Sequence, residues 1–223
     1  MTADPAGGII VRIDGGTAPT AVDRKRAAIV EAATRRFLRQ GYDATRIDQI
    51  AADASASKQT VYNQFGDKEA LFRQVVLGAT ATAEAFAAAL PASFDDVPDP
   101  EFPAALRALA RRYLAIAAAP PVLALRRLVV GEATRFPELA ATYHERAPAL
   151  VMAAFAELLA RLGARGVLSI ADPAEAAQHF AFLVVGPAID RGMLIVDIAA
   201  PDEATVRRTA DRAVEVFLAA YRP

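Results

Sequence analysis

The feature that most restricts what this chain can fold into is helical periodicity punctuated by glycine and proline. Ile29, Ala33 and Phe37 fall at i, i+4 and i+8, Arg35, Arg36 and Arg39 lie elsewhere on the wheel, and Gly41 closes the run. That pattern predicts an amphipathic helix with a glycine stop. Two short helical segments follow. Thr45, with Asp48 three residues on, reads as the cap of the first, which would bury Ile47, Ile50 and Ala51; Ser57 reads as the cap of the second, which would bury Val61 and Phe65. Asp67 then opens a fourth helix that carries Leu71, Phe72, Val75 and Val76 and continues past Thr80 toward Leu90.

Residues 91–103 hold four prolines and three aspartates and cannot be helical throughout, so they mark a boundary. Beyond them the pattern predicts helices near 103–119, 121–134, 137–163, 173–188 and 202–221. Asp172-Pro173 and Pro201-Asp202 are start signals, because an aspartate accepts free amide hydrogens and proline fits a first helical turn. Residues 1–20, rich in Gly, Pro, Ala and Asp, read as a flexible arm. The expected fold is all-α with about nine helices. Its expected organisation is an arm at 1–20, a three-helix domain at 21–66, a connecting helix at 67–90 and a second helical domain at 91–223. A hydrophobic content of 54%, much of it alanine, the best helix former, points the same way.

Several chemistries are excluded or disfavoured. There is no cysteine, so disulfides, thiol catalysis and thiolate metal sites are ruled out; with His144 and His179 the only histidines, neither a metal nor a cofactor is expected. No nucleophile elbow, phosphate-cradling glycine loop or paired histidines at metal spacing is present, which leaves an enzyme as a remote alternative. The apolar runs are broken, as at Pro120-Pro121 and Gly186-Pro187, short of the roughly 18 residues that a membrane span needs. The N-terminus lacks the charged-then-apolar order of a secretory signal. No membrane contact and a cytoplasmic location are therefore expected. The net charge is −1, so any nucleic-acid surface must be local. Between Asp23 and Arg73, ten Lys or Arg stand against seven Asp or Glu.

That basic balance coincides with the unit from Val22 to Phe65. Its second and third helices are six to eight residues long and joined by a short turn, the geometry of a helix-turn-helix. The outward residues of the last helix are Lys58, Gln59, Thr60, Tyr62 and Asn63. Gln and Asn can bond bidentately to adenine, Thr can meet a thymine methyl or a phosphate, and Lys and Tyr can reach phosphate oxygens. Taken alone, the same face could also be an ordinary solvated surface.

Residues 41–72, GYDATRIDQIAADASASKQTVYNQFGDKEALF, closely resemble the DNA-binding signature of TetR-type regulators, and the similarity covers roughly 24–76. The resemblance implies a phosphate contact at Thr45, base contacts near Lys58 to Thr60, and phosphate contacts at Tyr62 and Lys68. With Arg46, Ser57 and Asn63 these complete the expected DNA-contact set. Two departures stand out: Ser55 occupies a turn position where the family often has glycine, and Gln64 one where it often has histidine. Arg24, Lys25 and Arg26 crowd the start of the first helix, where the dipole disfavours cations. Either DNA phosphate offsets that cost or the first turn frays.

The same resemblance implies that the C-terminal helices enclose an effector pocket and that the last two pair with their symmetry mates. The expected partners are double-stranded operator DNA, an apolar or amphipathic small-molecule effector, and a second copy of the chain. Val206, Ala210, Ala213, Val214, Phe217 and Tyr221 form one apolar stripe, and Ala176, Phe180, Leu183 and Val184 another, each suited to core or to a dimer interface. Candidate pocket residues are Tyr113, Arg126, Phe136, Tyr143, His144, Phe155, His179 and Phe182, because a pocket is mostly apolar with a few orienting polar groups. Residues 132–140, EATRFPELA, are loosely similar to a TetR subgroup linked to efflux or stress control. The function so implied is a repressor released from a palindromic operator by a small molecule, through a shift between two dimer states. The alternative is a C-terminal half that docks a protein.

Overall fold

The computed structural model describes residues 20–223. The arm read over residues 1–20, apart from Thr20, lies outside the described residues. The first helix, α1 (Ala21–Ala44), starts from Thr20: its hydroxyl accepts from the Asp23 amide at 3.2 Å, and the Asp23 carboxylate accepts from the Thr20 amide at 3.0 Å. This reciprocal box satisfies two amides that have no helical partner; the Thr20 hydroxyl, donating to the Asp23 carboxylate at 2.7 Å, and then the Thr20 amide hold that carboxyl below the usual carboxylate range. Gly41, read as the stop, breaks the helix instead: it leaves helical geometry at φ 78°, a conformation that costs glycine little, and α1 resumes after this kink as far as Ala44.

α2 (Ile47–Asp53), α3 (Lys58–Phe65), α4 (Lys68–Gly78) and α5 (Ala81–Ala89) follow, then α6 (Phe102–Ala117), α7 (Pro120–Gly131), α8 (Pro137–His144) and α9 (Leu150–Ala164). α10 (Pro173–Leu194) and α11 (Glu203–Tyr221) end the chain. No strand occurs among the described residues. The nine helices expected from periodicity are present, two of them interrupted. The helix read from Asp67 toward Leu90 divides into α4 and α5 at Thr80, whose hydroxyl donates to the Leu77 carbonyl at 2.8 Å and competes with the helical ladder. The helix read over 137–163 contains a π turn, Glu145–Ala149, around Pro148, which has no amide hydrogen to donate. α10 runs past the expected stop near 188, straight through Pro187. Its partners α9 and α11 flank it, and that packing outweighs the single ladder bond that Pro187 lacks. Asp172 and Asp202 cap α10 and α11 as expected, accepting from Ala174 and Glu175 and from Thr205.

The chain divides into two compact units. The first comprises the described residues up to Thr82 together with Leu125–His144; the second comprises Ala83–Ala124 with Glu145–Pro223. No feature of the sequence signals that 125–144 groups with the N-terminal helices. In the first unit Ile29, Phe37, Ile50, Val61, Leu71 and Phe72 are buried. In the second, Leu106, Leu114, Phe155, Phe180 and Phe217 anchor a continuous core. By length and mean hydropathy the helical stretch Pro137–Ala164 could cross a membrane. Within the units, however, its Leu139, Tyr143, Val151, Phe155, Leu158, Leu159 and Leu162 are all buried.

α10 contains one contact too tight for any side chain. A β-carbon on Gly192 would lie 2.6 and 2.7 Å from the two Cδ atoms of Leu123, itself buried. Gly192→Ala is expected to destabilise the chain by about 1–3 kcal/mol through forced repacking. The effect should read as a lower urea midpoint at an unchanged slope.

Candidate nucleic-acid interface

α2 and α3 are joined by Ala54–Ser57, a turn that closes on itself. Ala54 and Ser55 donate to the Ile50 and Ala52 carbonyls at 3.0 and 3.1 Å, and Ala56 donates to Ala51 at 2.8 Å. Ser55 sits at φ 49°, in the left-handed region where a β-carbon is disfavoured. The departure from glycine thus falls on the one residue of this turn whose conformation favours glycine. Lys25 of α1 holds it, donating to the Ser55 carbonyl at 3.0 Å.

The cap expected for α2 is corrected. α1 extends to Ala44, so Thr45 terminates it: its side chain is buried and donates to the Gly41 carbonyl at 2.7 Å. Arg46 is the N-cap of α2, and Gln49, not Asp48, reaches back to the Arg46 amide, at 3.4 Å. Asp48, without a capping role, pairs instead with Lys58 across the turn, Oδ1 to Nζ 2.9 Å. That bond raises the Lys58 pKa.

α3 follows the expectation. Ser57 caps it, accepting from the Thr60 amide at 3.0 Å. Val61 and Phe65 are buried, while Lys58, Gln59, Tyr62 and Asn63 are exposed and Thr60 is half-buried. Gln59 Nε2 donates to Asn63 Oδ1 at 2.8 Å, so two candidate base readers are aligned one helical turn apart. Arg46 is exposed at the start of α2.

Three further cations of this region, Lys68, Arg26 and Lys25, are tied into the fold. Lys68 donates to the Thr45 and Asp43 carbonyls at 2.8 and 3.3 Å and stands 4.3 Å above the Tyr42 ring. Desolvation there lowers its pKa. In this arrangement Lys68 and Thr45 brace the corner between α1 and α2. Arg26 donates to the Gln64 carbonyl and to Gln74 Oε1 at 3.1 and 3.2 Å, with its guanidinium 4.4 Å from the Phe65 ring centre. Lys25 and Arg26 are therefore staples from α1 to the turn and to α3 and α4, a third account of the basic start. The corner has one more brace, which the sequence reading missed. Arg135, in the connection between α7 and α8, pairs with Asp43 and lies 4.6 Å over Tyr42, while Phe136 packs against Tyr42 and Phe72 at 4.9 and 5.4 Å. Nothing local in the sequence could have linked residues so far apart.

The candidate pocket residues fall into both units. In the second, Tyr113 and Phe155 come together at 5.0 Å with Phe86 beside them. His179 is exposed and its Nδ1 meets the Tyr221 hydroxyl at 2.6 Å; Phe182 is 66% exposed. In the first unit, Phe136 belongs to the corner cluster and His144 is exposed. Burial raises the Tyr143 pKa, opposed by the charge of Arg126.

A short trihelical unit with a capped, polar-faced third helix defines a helix-turn-helix DNA-binding protein. Comparison with known proteins narrows the class. The model of the AefR-like transcriptional repressor C-terminal domain matches residues 104–223, and that of bacterial regulatory proteins of the tetR family matches residues 29–75. A TetR-family regulator structure from Mesorhizobium loti is 33% identical over 92% of this chain and 100% of its own, with a TM-score of 0.81. The flavonoid-responsive regulator FrrA is 32% identical over 90% of this chain and 98% of its own, with a TM-score of 0.67. A transcriptional repressor of Streptomyces coelicolor is 47% identical over 23% of this chain and 27% of its own length; HbdR of Aromatoleum is 45% identical over 24% and 23%. The chain thus spans about a quarter of the length of these curated relatives. The chain belongs to the TetR family of transcriptional regulators. It is a DNA-binding regulator and not an enzyme.

Proposed function

We propose that the protein is a ligand-responsive repressor that binds a palindromic operator in the cytoplasm as a homodimer. The observation that carries the reading is the exposed Gln59–Asn63 pair on α3. Their mutual bond uses one amide hydrogen and one amide oxygen, and leaves Gln59 Oε1 and Asn63 Nδ2 without a protein partner among the described residues. An acceptor beside a donor complements the N6 and N7 edge of adenine. Repression is supported by the AefR-like repressor domain and by the Streptomyces repressor. A small, apolar or amphipathic effector is supported by the similarity to FrrA, whose name states a flavonoid response. Homodimerisation is supported by the geometry of palindromes, whose half-sites lie about 34 Å apart and call for two readers. It is also supported by apolar side chains left exposed on α10 and α11: Phe182, Leu183 and Val216.

The test is to select genomic fragments with the purified protein and to measure affinity for the enriched duplex. A palindromic motif is expected. Gln59→Ala should weaken binding by roughly 5- to 150-fold per half-site, about 1–3 kcal/mol for each lost bidentate contact, and relax preference at one adenine in each half-site. No enrichment, or wild-type affinity in Gln59→Ala, would sink the reading.

A further inference from the structure

Asp48 lies in the first turn of α2, where a carboxylate favours the helix N-terminus, but it makes no capping bond there. It caps nothing, since Gln49 bonds the Arg46 amide. Its carboxylate reaches across the turn to Lys58, the first residue of the reader helix, and the two side chains are 52% and 55% exposed. An ion pair so open to water contributes little to stability. It does place a negative charge on a face that carries Arg46, Lys58 and the reader residues, where DNA phosphate must approach. A carboxylate there weakens attraction to every sequence alike unless it also controls what Lys58 can touch.

We propose that Asp48 is a specificity-determining residue that tethers Lys58, so that the ammonium meets DNA only when α3 is docked in register. The proposal rests on the DNA-binding reading above. A free lysine is a point charge on a flexible stem and finds phosphates in many registers, which adds the same salt-dependent affinity to every sequence. A lysine ammonium has three donors. With one donor held by Asp48, the other two are confined near the N-terminus of α3. There they reach an acceptor when that helix enters the groove and miss it when the protein is only loosely attracted to the backbone. The tether therefore subtracts more from non-operator binding than from operator binding.

The test compares Asp48→Asn with wild type on two probes: the duplex that the wild-type protein enriches from genomic fragments, and a scrambled duplex of the same length and base composition. Affinity is measured against salt. On the scrambled duplex Asp48→Asn is expected to bind more tightly, by about threefold for each lysine released and about tenfold for a dimer with two. Its salt slope should steepen by about 0.9 per lysine. Operator affinity should change by less, so the ratio between the probes falls. In a Lys58→Ala background, Asp48→Asn should steepen nothing, whereas a merely structural role for Asp48 would persist there. Equal shifts on both probes, an unchanged slope, or the same steepening without Lys58 would overturn the proposal. Failure of the underlying reading is distinct, because the wild-type protein would then enrich no fragment at all.

Discussion

Phe72→Ala is expected to lower the stability of the unit that carries the reader by about 3–5 kcal/mol, the usual loss when a buried phenylalanine is truncated and its cavity persists. Phe72 is 1% exposed, and three rings converge on it: Phe37 edge-on at 5.1 Å, Tyr42 at 5.0 Å and Phe136 at 5.4 Å. Aromatic pairs in these geometries contribute beyond their buried area, so collapse of the neighbours cannot recover the loss. The consequence is functional as well as thermodynamic. Tyr42 and Phe136 meet at the corner where Lys68 holds the Thr45 carbonyl, immediately before α2, so loosening that corner loosens the pitch of α2 and α3. Urea unfolding of the full chain should show a lower midpoint for the transition that abolishes DNA binding. A midpoint equal to that of wild type would mean that the ring cluster does not hold the corner.

How much of this was legible in the sequence depends on the range of the interaction that decides each feature. Gly41, Ser57, Asp67, Asp172 and Asp202 act within one helical turn: the four caps each start a helix where their chemistry predicts, and Gly41 kinks α1 where its chemistry predicts a break. The face of α3 was equally legible, because burial of Val61 and Phe65 on an eight-residue helix leaves few orientations for Gln59, Tyr62 and Asn63. The cap of α2 was misread for a local reason with a distant cause: Thr45 is drawn into α1 and roofed by Lys68 from 23 residues away. The same range limits the basic start of α1, where Arg26 finds its partners at Gln64 and Gln74. Arg135 and Phe136 could be placed on Tyr42 only by knowing how α7 and α8 fold back. The apolar stripes of the last two helices were visible as stripes, but periodicity does not say what covers them. Ala176, Phe180, Val184, Ala210, Ala213, Val214 and Phe217 prove to be intramolecular core.

What the core leaves over gives the sharpest expectation for assembly. Phe182 is 66% exposed, Leu183 38% and Val216 50%, on the two helices whose inner faces are already filled. Large apolar side chains gathered on adjacent helices mark interaction surfaces. If a second copy covers them, Phe182→Glu combined with Val216→Glu would place four carboxylates in one dimer interface, each desolvated without a partner. The double variant is expected to run as a monomer in light scattering and to keep its helical content, since neither side chain belongs to the intramolecular core. A monomer offers one reader to one half-site. Its operator affinity should therefore fall toward the non-specific level, a loss on the order of 10³-fold or more. Val130→Glu, at an equally exposed apolar position outside α10 and α11, should leave the mass unchanged. A double variant that stays dimeric and binds operator as wild type does would show that the copies meet through some other surface, and that the exposed apolar side chains of α10 and α11 serve a different partner.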